Sequence, residues 1–307
     1  MTEPGRIEVL APTVRLTALS WSPDGTATES AGRSGSAPIA LCLHGFPDTA
    51  LGFRTLAGHL VAAGYRVVAP FMRGYAPSSV PSDGAYHLGA LMDDALRVYA
   101  TAGPTDADVV IGHDWGAIAA TGLAAMPDSP FRRAVVMSVP PAAALLRGGP
   151  PPAGLAALLP GQLLRSWYIS YFQLPFAPER SGPWIVPLLW RRWSPGYDAT
   201  EDLRHVHDAI GAPERWRAAL GPYRATIRNY RPPARYAELH RWWTRPPRVP
   251  TLYLHGSRDG CMTAAFTPFV RDVLPAGSEV AVVERAGHFL QLEQPDEVAR
   301  RIVGFLR

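Results

Sequence analysis

The chain has 307 residues, of which 47% are hydrophobic and 18% charged, and its net charge is +4. No run of residues approaches the ~18 consecutive apolar positions that a membrane-spanning helix needs, so we expect a soluble globular protein with no membrane partner. The basic residues are all arginines and form no basic cluster interleaved with aromatic residues, so nucleic acid is not an expected partner.

The N-terminal residues and the cysteines bear on the subcellular location. Residues 1–6 lack the basic region and the apolar stretch of a secretory signal. Cys42 and Cys261 are far apart in the sequence, which argues against a disulfide framework. We therefore expect a cytoplasmic protein that works as a monomer or a homodimer.

Strand and helix patterns alternate along the first half of the chain. Short apolar runs that are typical of buried strands are followed by helical patterns, and this alternation predicts an α/β fold with a mostly parallel sheet and crossover helices. The predicted strands are residues 39–43, 65–71, 108–111 and 133–139, and the predicted helices are residues 49–63 and 88–102.

The pattern changes at residue 142 and returns near residue 247. The segment between these points is rich in Trp, Tyr, Arg and Pro and has no clear strand pattern. Predicted strands at residues 250–255 and 279–283 and a helix at residues 296–305 follow it. Because an insertion of about a hundred residues is too long for a plain loop, we predict a core domain of residues 1–141 and 247–307 and a helical cap domain of residues 142–246.

A tight turn follows the strand predicted at residues 108–111. Its sequence, Gly112-His113-Asp114-Trp115-Gly116, has the strand–turn–helix layout of a nucleophile elbow, G-x-S-x-G, with aspartate in place of serine. A carboxylate that attacks carbon forms an ester with the enzyme, and water must then cleave that ester. Asp114 therefore indicates epoxide opening or halide displacement rather than plain ester hydrolysis.

Two further residues complete a catalytic triad in the chain order nucleophile, acid, histidine. Asp259 follows the strand predicted at residues 250–255, where catalytic groups collect at the carboxyl ends of parallel strands. His288 follows the strand predicted at residues 279–283. A histidine there can take a proton from water while Asp259 orients its ring and stabilises the imidazolium.

The remaining polar residues near strand ends have simpler interpretations. His44, His113 and His255 each adjoin a glycine, and we interpret them as structural because polar groups buried at strand ends need partners. No cluster of cysteine and histidine suggests a metal site, and the expected chemistry needs no organic cofactor. We therefore expect neither a metal nor a cofactor.

Together these motifs resemble the α/β-hydrolase-fold epoxide hydrolases, the branch with an aspartate nucleophile that is related to the haloalkane dehalogenases. The resemblance is carried by HGFPD at residues 44–48, GHDWG at 112–116, GSRD at 256–259 and GH at 287–288. With the sheet pattern, it covers most of the chain outside the cap domain. It implies that the backbone N–H groups of Phe46 and Trp115 form an oxyanion hole, and that the bond before Pro47 is often cis.

The resemblance also implies two cap tyrosines that protonate the epoxide oxygen opposite the nucleophile. Tyr171 in Tyr-Phe-Gln matches the first tyrosine motif, although Leu174 stands where the family often has glutamate, and Tyr223 falls where the second is expected. Tyr230, farther along on nearly the same helical face, is the alternative second donor. A neutral hydroxyl suits the task because it can donate a hydrogen bond to an oxygen that becomes negative.

The substrate that this resemblance implies is a small apolar epoxide, and we expect Phe46, Trp115 and Phe172 to contact it. The same triad could serve a haloalkane or haloacid dehalogenase, with the Trp115 indole holding the halide. Phenylalanine at position 46 has no donor, however, where dehalogenases usually carry asparagine. A non-catalytic small-molecule receptor is the alternative from another class, although a pure binding protein has no need of an intact triad.

Overall fold

The computed structural model describes residues 3–23, 37–146, 152–228 and 231–307. Within these ranges an eight-stranded sheet has the order β1-β2-β4-β3-β5-β6-β7-β8. The strands are β1 (Gly5–Leu10), β2 (Arg15–Trp21), β3 (Ile39–Leu43), β4 (Arg66–Pro70), β5 (Val109–His113), β6 (Arg133–Met137), β7 (Thr251–Gly256) and β8 (Glu279–Val283).

The sheet is parallel from β4 to β8 and antiparallel at its N-terminal edge, where β1 pairs with β2 and β2 with β4. Every residue of β3, β4 and β5 is buried. Strands of this kind read as continuous apolar runs because helices cover both faces of a parallel sheet. The carboxyl ends of β5, β7 and β8 consequently meet at one edge of the sheet.

Helices cover the sheet and form the insertion between β6 and β7. They are α1 (Arg54–Ala62), α2 (Leu88–Thr101), α3 (Trp115–Ala125), α4 (Ala142–Leu145), α5 (Ala153–Arg165), α6 (Trp167–Tyr171), α7 (Ala177–Trp193), α8 (Thr200–Ile210), α9 (Pro213–Ala219), α10 (Gly221–Ile227), α11 (Ala234–His240), α12 (Thr267–Arg271), α13 (Leu290–Glu293) and α14 (Pro295–Leu306). Among the described helices, none is long and apolar enough to cross a membrane.

The insertion between β6 and β7 is helical throughout its described part. Helices α4 to α11 lie between β6 and β7, and no strand occurs among the residues described there. The last of them, α11, packs on the core helix α2, and the Gly89 amide donates to Nδ1 of His240 at 3.2 Å. The C-terminal part of the insertion is therefore in contact with the core.

The predicted strands all appear in the sheet, with shifts of one or two residues at some ends. The N-terminal pair β1 and β2 was not predicted. The alternation of Ile7 and Val9 with polar neighbours is the strand signal in β1, a strand of six residues at the sheet edge. β1 pairs with β2 as a local hairpin, and β2 joins the sheet by pairing with β4.

Candidate active site

Asp114 occupies the sharp turn between β5 and α3. Its backbone has φ 52° and ψ −119°, a conformation that non-glycine residues seldom adopt. The turn carries the residue from the end of a buried strand directly into the first turn of a helix, and the side chain of Asp114 is 5% exposed. This is the strained elbow that the Gly-x-Asp-x-Gly pattern predicts.

The loop after β3 approaches the Asp114 carboxylate closely. The Phe46 amide donates a hydrogen bond to Oδ1 of Asp114 at 2.7 Å. A Cβ atom at Gly45 would collide with this carboxylate and with the amide nitrogen of Trp115, so only glycine allows the approach. The Phe46–Pro47 bond is cis, as the resemblance implied. Oδ1 is thus bound by the Phe46 amide, one of the two amides that were expected to form the oxyanion hole.

The structure brings the three predicted triad residues together. Nδ1 of His288 lies 3.0 Å from Oδ2 of Asp259, and Nε2 of His288 lies 3.7 Å from Oδ2 of Asp114. His288 is fully buried, and Asp259 and Asp114 are each 5% exposed. Residues that are far apart in the sequence therefore form one contiguous set of titratable groups.

Asp259 is held so that one of its oxygens remains for the imidazole. The backbone amides of Cys261 and Met262 donate to Oδ1 at 2.7 and 3.0 Å. Oδ2 then accepts the Nδ1–H of His288. This bond assigns the proton of the neutral imidazole to Nδ1, and Nε2 faces Asp114.

The backbone of His288 is fixed from three directions. Its amide donates to the Trp193 carbonyl at 3.0 Å, and its own carbonyl accepts from Oγ of Ser138 at 2.6 Å and from Nε2 of His113 at 2.9 Å. Burial lowers the pKa of His113 to about 3, so its ring stays neutral. His113 thus supports the base, in agreement with its structural interpretation.

Burial and charge act in opposite directions on His288. Burial disfavours the imidazolium, but the charge of Asp259 and the interactions with Asp114 and Asp259 outweigh it and raise the pKa of His288 to about 10. With both carboxylates ionised, the ring is therefore positively charged at neutral pH. Removal of one of these negative charges would lower the pKa of His288.

His44 and His255 also have internal partners. Nε2 of His44 accepts from the Met72 amide at 3.0 Å, and burial lowers the pKa of His44 to about 4. His255 contacts the Tyr253 hydroxyl through Nδ1 at 2.6 Å and the Met262 carbonyl through Nε2 at 3.1 Å. These contacts support the structural interpretation of both residues.

Tyr223, on α10, lies over the nucleophile. Its ring meets the ring of Phe46 edge-on at 5.2 Å and that of Trp115 at 5.0 Å. Within the described ranges, the buried hydroxyl of Tyr223 and the buried indole N–H of Trp115 have no hydrogen-bond partner. Burial and the charge of Asp114 raise the pKa of Tyr223 well above its usual value, which keeps the hydroxyl protonated.

The structure places Tyr168, rather than Tyr171, beside Tyr223. The rings of Tyr168 and Tyr223 are 5.8 Å apart, and Tyr168 is 4% exposed. Burial raises its pKa well above the usual value, and the charge of Asp114 is among the further causes. Tyr171 is partly exposed and its ring contacts are with Trp167, Phe172 and Trp184. Of the two tyrosines of α6, Tyr168 is therefore the one whose ring contacts that of Tyr223.

Phe172, the residue after α6, lies beside Tyr168 and Tyr223. It is fully buried and packs edge-on against Phe46 at 5.6 Å, Tyr223 at 5.2 Å and Tyr168 at 5.6 Å. Tyr171 is three residues after Tyr168 and Phe172 is four, so helix periodicity places all three near one face and does not distinguish the two tyrosines. Tyr230, the alternative second donor, lies outside the described residues.

Trp193, at the end of α7, contacts His288, a contact that the sequence does not reveal. Its ring meets the imidazole of His288 edge-on at 5.0 Å, and its carbonyl accepts from the amides of His288 and Gly260. The insertion is therefore hydrogen-bonded to the loops that carry His288 and Asp259.

A groove of about 760 Å³ lies between α7, α8 and α9. Trp216 lines it, and the ring of Trp216 is 5.9 Å from that of Phe46. The apolar part of its lining includes Phe176, Val186, Leu203, Val206 and Ile210.

One set of side chains in the described ranges has metal-ligating geometry. Ligand atoms of Asp259, Cys261 and His288 all lie within 4.8 Å of one another. A metal ion there would occupy the same imidazole and carboxylate that form the Asp259–His288 hydrogen bond.

Comparison with known proteins agrees with this architecture. A family model described as the alpha/beta hydrolase fold matches residues 38–295. The AB hydrolase superfamily protein YfhM of Bacillus subtilis is 29% identical over 284 residues, which cover 91% of this chain and 93% of the relative. Epoxide hydrolase A of Mycobacterium tuberculosis is 29% identical over 312 residues, covering 88% and 90%.

A solved structure from Klebsiella pneumoniae has the same fold. Its TM-score is 0.79 at 20% sequence identity, and the match covers 98% of this chain and 97% of that one. The family match spans most of the sheet, the elbow and the histidine loop. The chain belongs to the α/β-hydrolase fold family.

Proposed function

We propose that this α/β hydrolase is an epoxide hydrolase that converts an epoxide into a vicinal diol through an ester on Asp114. The observation that carries the proposal is the packing at the elbow carboxylate: two buried tyrosines, Tyr168 and Tyr223, have rings 5.8 Å apart, and the Tyr223 ring contacts those of Phe46 and Trp115 beside Asp114. Relatives named epoxide hydrolase, among them that of M. tuberculosis, support the substrate class.

Ring opening is the first step of the proposed reaction. Oδ1 of Asp114 is bound by the Phe46 amide, so Oδ2 is the oxygen that attacks the epoxide carbon. The carbon–oxygen bond of the epoxide breaks, and a tyrosine hydroxyl gives its proton to the oxygen that leaves. The two tyrosines suit this role because burial and the charge of Asp114 keep both of them protonated.

Hydrolysis of the ester is the second step. Esterification removes the charge of Asp114, which lowers the pKa of His288, and the imidazolium returns a proton to the tyrosine that gave one to the epoxide. Nε2 of the neutral ring then takes a proton from water. The hydroxide attacks the ester carbonyl, whose oxygen is Oδ1, and the Phe46 and Trp115 amides stabilise its negative charge. As the ester bond breaks, the departing alkoxide takes the proton of the new carboxyl group and leaves as the diol. This restores the Asp114 carboxylate and the His288 imidazolium, which Asp259 stabilises.

Displacement of a halide is less well supported by the same site. The Trp115 indole N–H is a suitable halide donor. Phe46, however, offers only a ring packed among Phe172, Trp216 and Tyr223, and supplies no side-chain donor. An epoxide oxygen that becomes an alkoxide needs a proton donor such as a tyrosine hydroxyl, whereas a halide leaves without a proton. The epoxide is therefore the favoured substrate.

Single-turnover reaction with styrene oxide in ¹⁸O-water tests the proposal. With enzyme in excess, the label should enter the Asp114 carboxylate, because water attacks the ester carbonyl carbon. Peptide mass spectrometry of the segment containing Asp114 measures this. Label in the diol alone would show direct attack by water on the epoxide, and tight binding without diol would support the receptor alternative. Halide release from 1-bromobutane, assayed in parallel, measures dehalogenation.

A further inference from the structure

Cys261 is a buried thiol in the loop that carries the catalytic acid. It is 2% exposed, its amide donates to Oδ1 of Asp259 at 2.7 Å, and its carbonyl accepts from Nε2 of Gln162 at 2.8 Å. Both of its backbone groups are therefore bound, one to the acid and the other to the cap helix α5. The position of its side chain is set by these two contacts.

The thiol of Cys261 meets the hydroxyl of Tyr168. The distance from Sγ to the hydroxyl oxygen is 3.5 Å, within the range of a hydrogen bond to sulfur. Within the described ranges this is the one hydrogen-bond partner of the Tyr168 hydroxyl. Aromatic contacts with Phe172 and Trp193 hold the ring of Tyr168, but they do not direct its hydroxyl proton.

We propose that Cys261 is a positioning residue whose S–H donates to the Tyr168 oxygen and so directs the Tyr168 proton towards the epoxide. The inference rests on the proposed epoxide hydrolase function. With the thiol as donor, the Tyr168 oxygen accepts from sulfur, and its own O–H is free to donate to the substrate oxygen. When Tyr168 gives up that proton, the same S–H stabilises the phenolate, and no bond to sulfur breaks.

The surroundings of the thiol suit a donor that stays protonated. Burial and the negative charges of Asp259 and Asp114 raise the pKa of Cys261 well above its usual value. The same residue contacts the acid through its amide and the cap tyrosine through its side chain. Cys261 thus contacts both Asp259, the acid proposed for ester hydrolysis, and Tyr168, the proton donor proposed for ring opening.

A double-mutant cycle on ring opening tests the inference. We expect Cys261→Ala to slow single-turnover ester formation by about three- to tenfold, the effect of one hydrogen bond, and Cys261→Ser to restore most of the rate. In a Tyr168→Phe background the Cys261→Ala change should have no further effect, because the hydroxyl on which it acts is absent. Cys42→Ala, at the other buried thiol, is the matched control and should leave the rate unchanged.

The outcomes separate this inference from the proposed function. An equal slowing by Cys261→Ala in both backgrounds would show a packing role and overturn the inference, as would a serine variant no faster than the alanine one. If Tyr168→Phe slows ring opening and Cys261→Ala does not, the inference alone is wrong. If Tyr168→Phe leaves ring opening unchanged, the donor role of Tyr168 fails and the inference with it.

Discussion

Nε2 of His288 lies 3.7 Å from Oδ2 of Asp114, so the base faces the nucleophile without a direct hydrogen bond between them. The gap is too long for that bond. The two groups are nevertheless close enough for the charge on Asp114 to affect the proton affinity of His288, and Asp114 is among the causes of its raised pKa. Chemistry at Asp114 therefore changes the protonation of the base.

The first prediction concerns the pH dependence of ester hydrolysis. In the free enzyme the pKa of His288 is raised to about 10, whereas in the ester the Asp114 charge is gone and the pKa must be lower. The rate of ester hydrolysis should rise with pH and level off well below pH 10. The pH dependence of single-turnover ester hydrolysis measures the pKa of His288 in the ester, and an NMR titration measures it in the free enzyme. Equal pKa values would contradict an effect of the Asp114 charge on His288.

The second prediction concerns stability. A folded-state pKa raised from 6.5 to about 10 contributes stability that is fully present below pH 6.5 and is lost as the pH rises through 10. The difference in the free energy of unfolding between the unchanged protein and His288→Gln should therefore shrink with rising pH. Urea unfolding at several pH values measures it. A difference that stays constant across this range would mean that the imidazolium does not stabilise the fold.

The third prediction uses the division of the reaction into two steps. Because His288 acts in the second step, His288→Gln should still form the ester but hydrolyse it slowly. Intact-protein mass spectrometry should then show an adduct equal in mass to the substrate. The double variant Asp114→Asn/His288→Gln is the control and should show no adduct. A single variant without an adduct would argue against His288 as the base of the second step.

The fourth prediction separates the two tyrosines of α6. Tyr168→Phe should lower kcat/KM for an epoxide by about tenfold or more, because it removes a donor to the developing alkoxide. Tyr171→Phe is the matched control, and we expect its kcat/KM to stay within about twofold of the unchanged enzyme, as for a substitution away from the reacting atoms. Steady-state kinetics on one epoxide suffices. The reverse order of effects would restore Tyr171 as the donor.

The fifth prediction concerns the close approach at Gly45. The new Cβ atom of Gly45→Ala would push both the Asp114 carboxylate and the Trp115 amide away from residue 45. A displacement near 1 Å can lower the rate by about a hundredfold. Gly304→Ala is the control, because a Cβ there meets no other atom and alanine favours a helix. Kinetics and thermal unfolding of both variants measure the effect. Full activity of Gly45→Ala would show that the oxyanion-hole geometry is not needed.

Local patterns in the chain predicted the strands of the core and the residues at their ends. Asp114, Asp259 and His288 each follow a short apolar run, and the parallel sheet brings those ends to one edge. This result depends on strand geometry, which is repetitive and local. The N-terminal hairpin of β1 and β2 was not predicted, and the local pattern does not show that β2 joins the sheet beside the distant strand β4.

The sequence by itself determined the α/β core and placed an aspartate in the tight turn between β5 and α3, because short apolar runs and small turn residues are local patterns. Only the tertiary structure placed Tyr168, and not Tyr171, against Tyr223, although both tyrosines lie on one helix. The tertiary structure alone also brought Cys261 to Tyr168 and Trp193 to His288. The rotation of a cap helix is set by packing against residues far along the chain, and no local pattern specifies it.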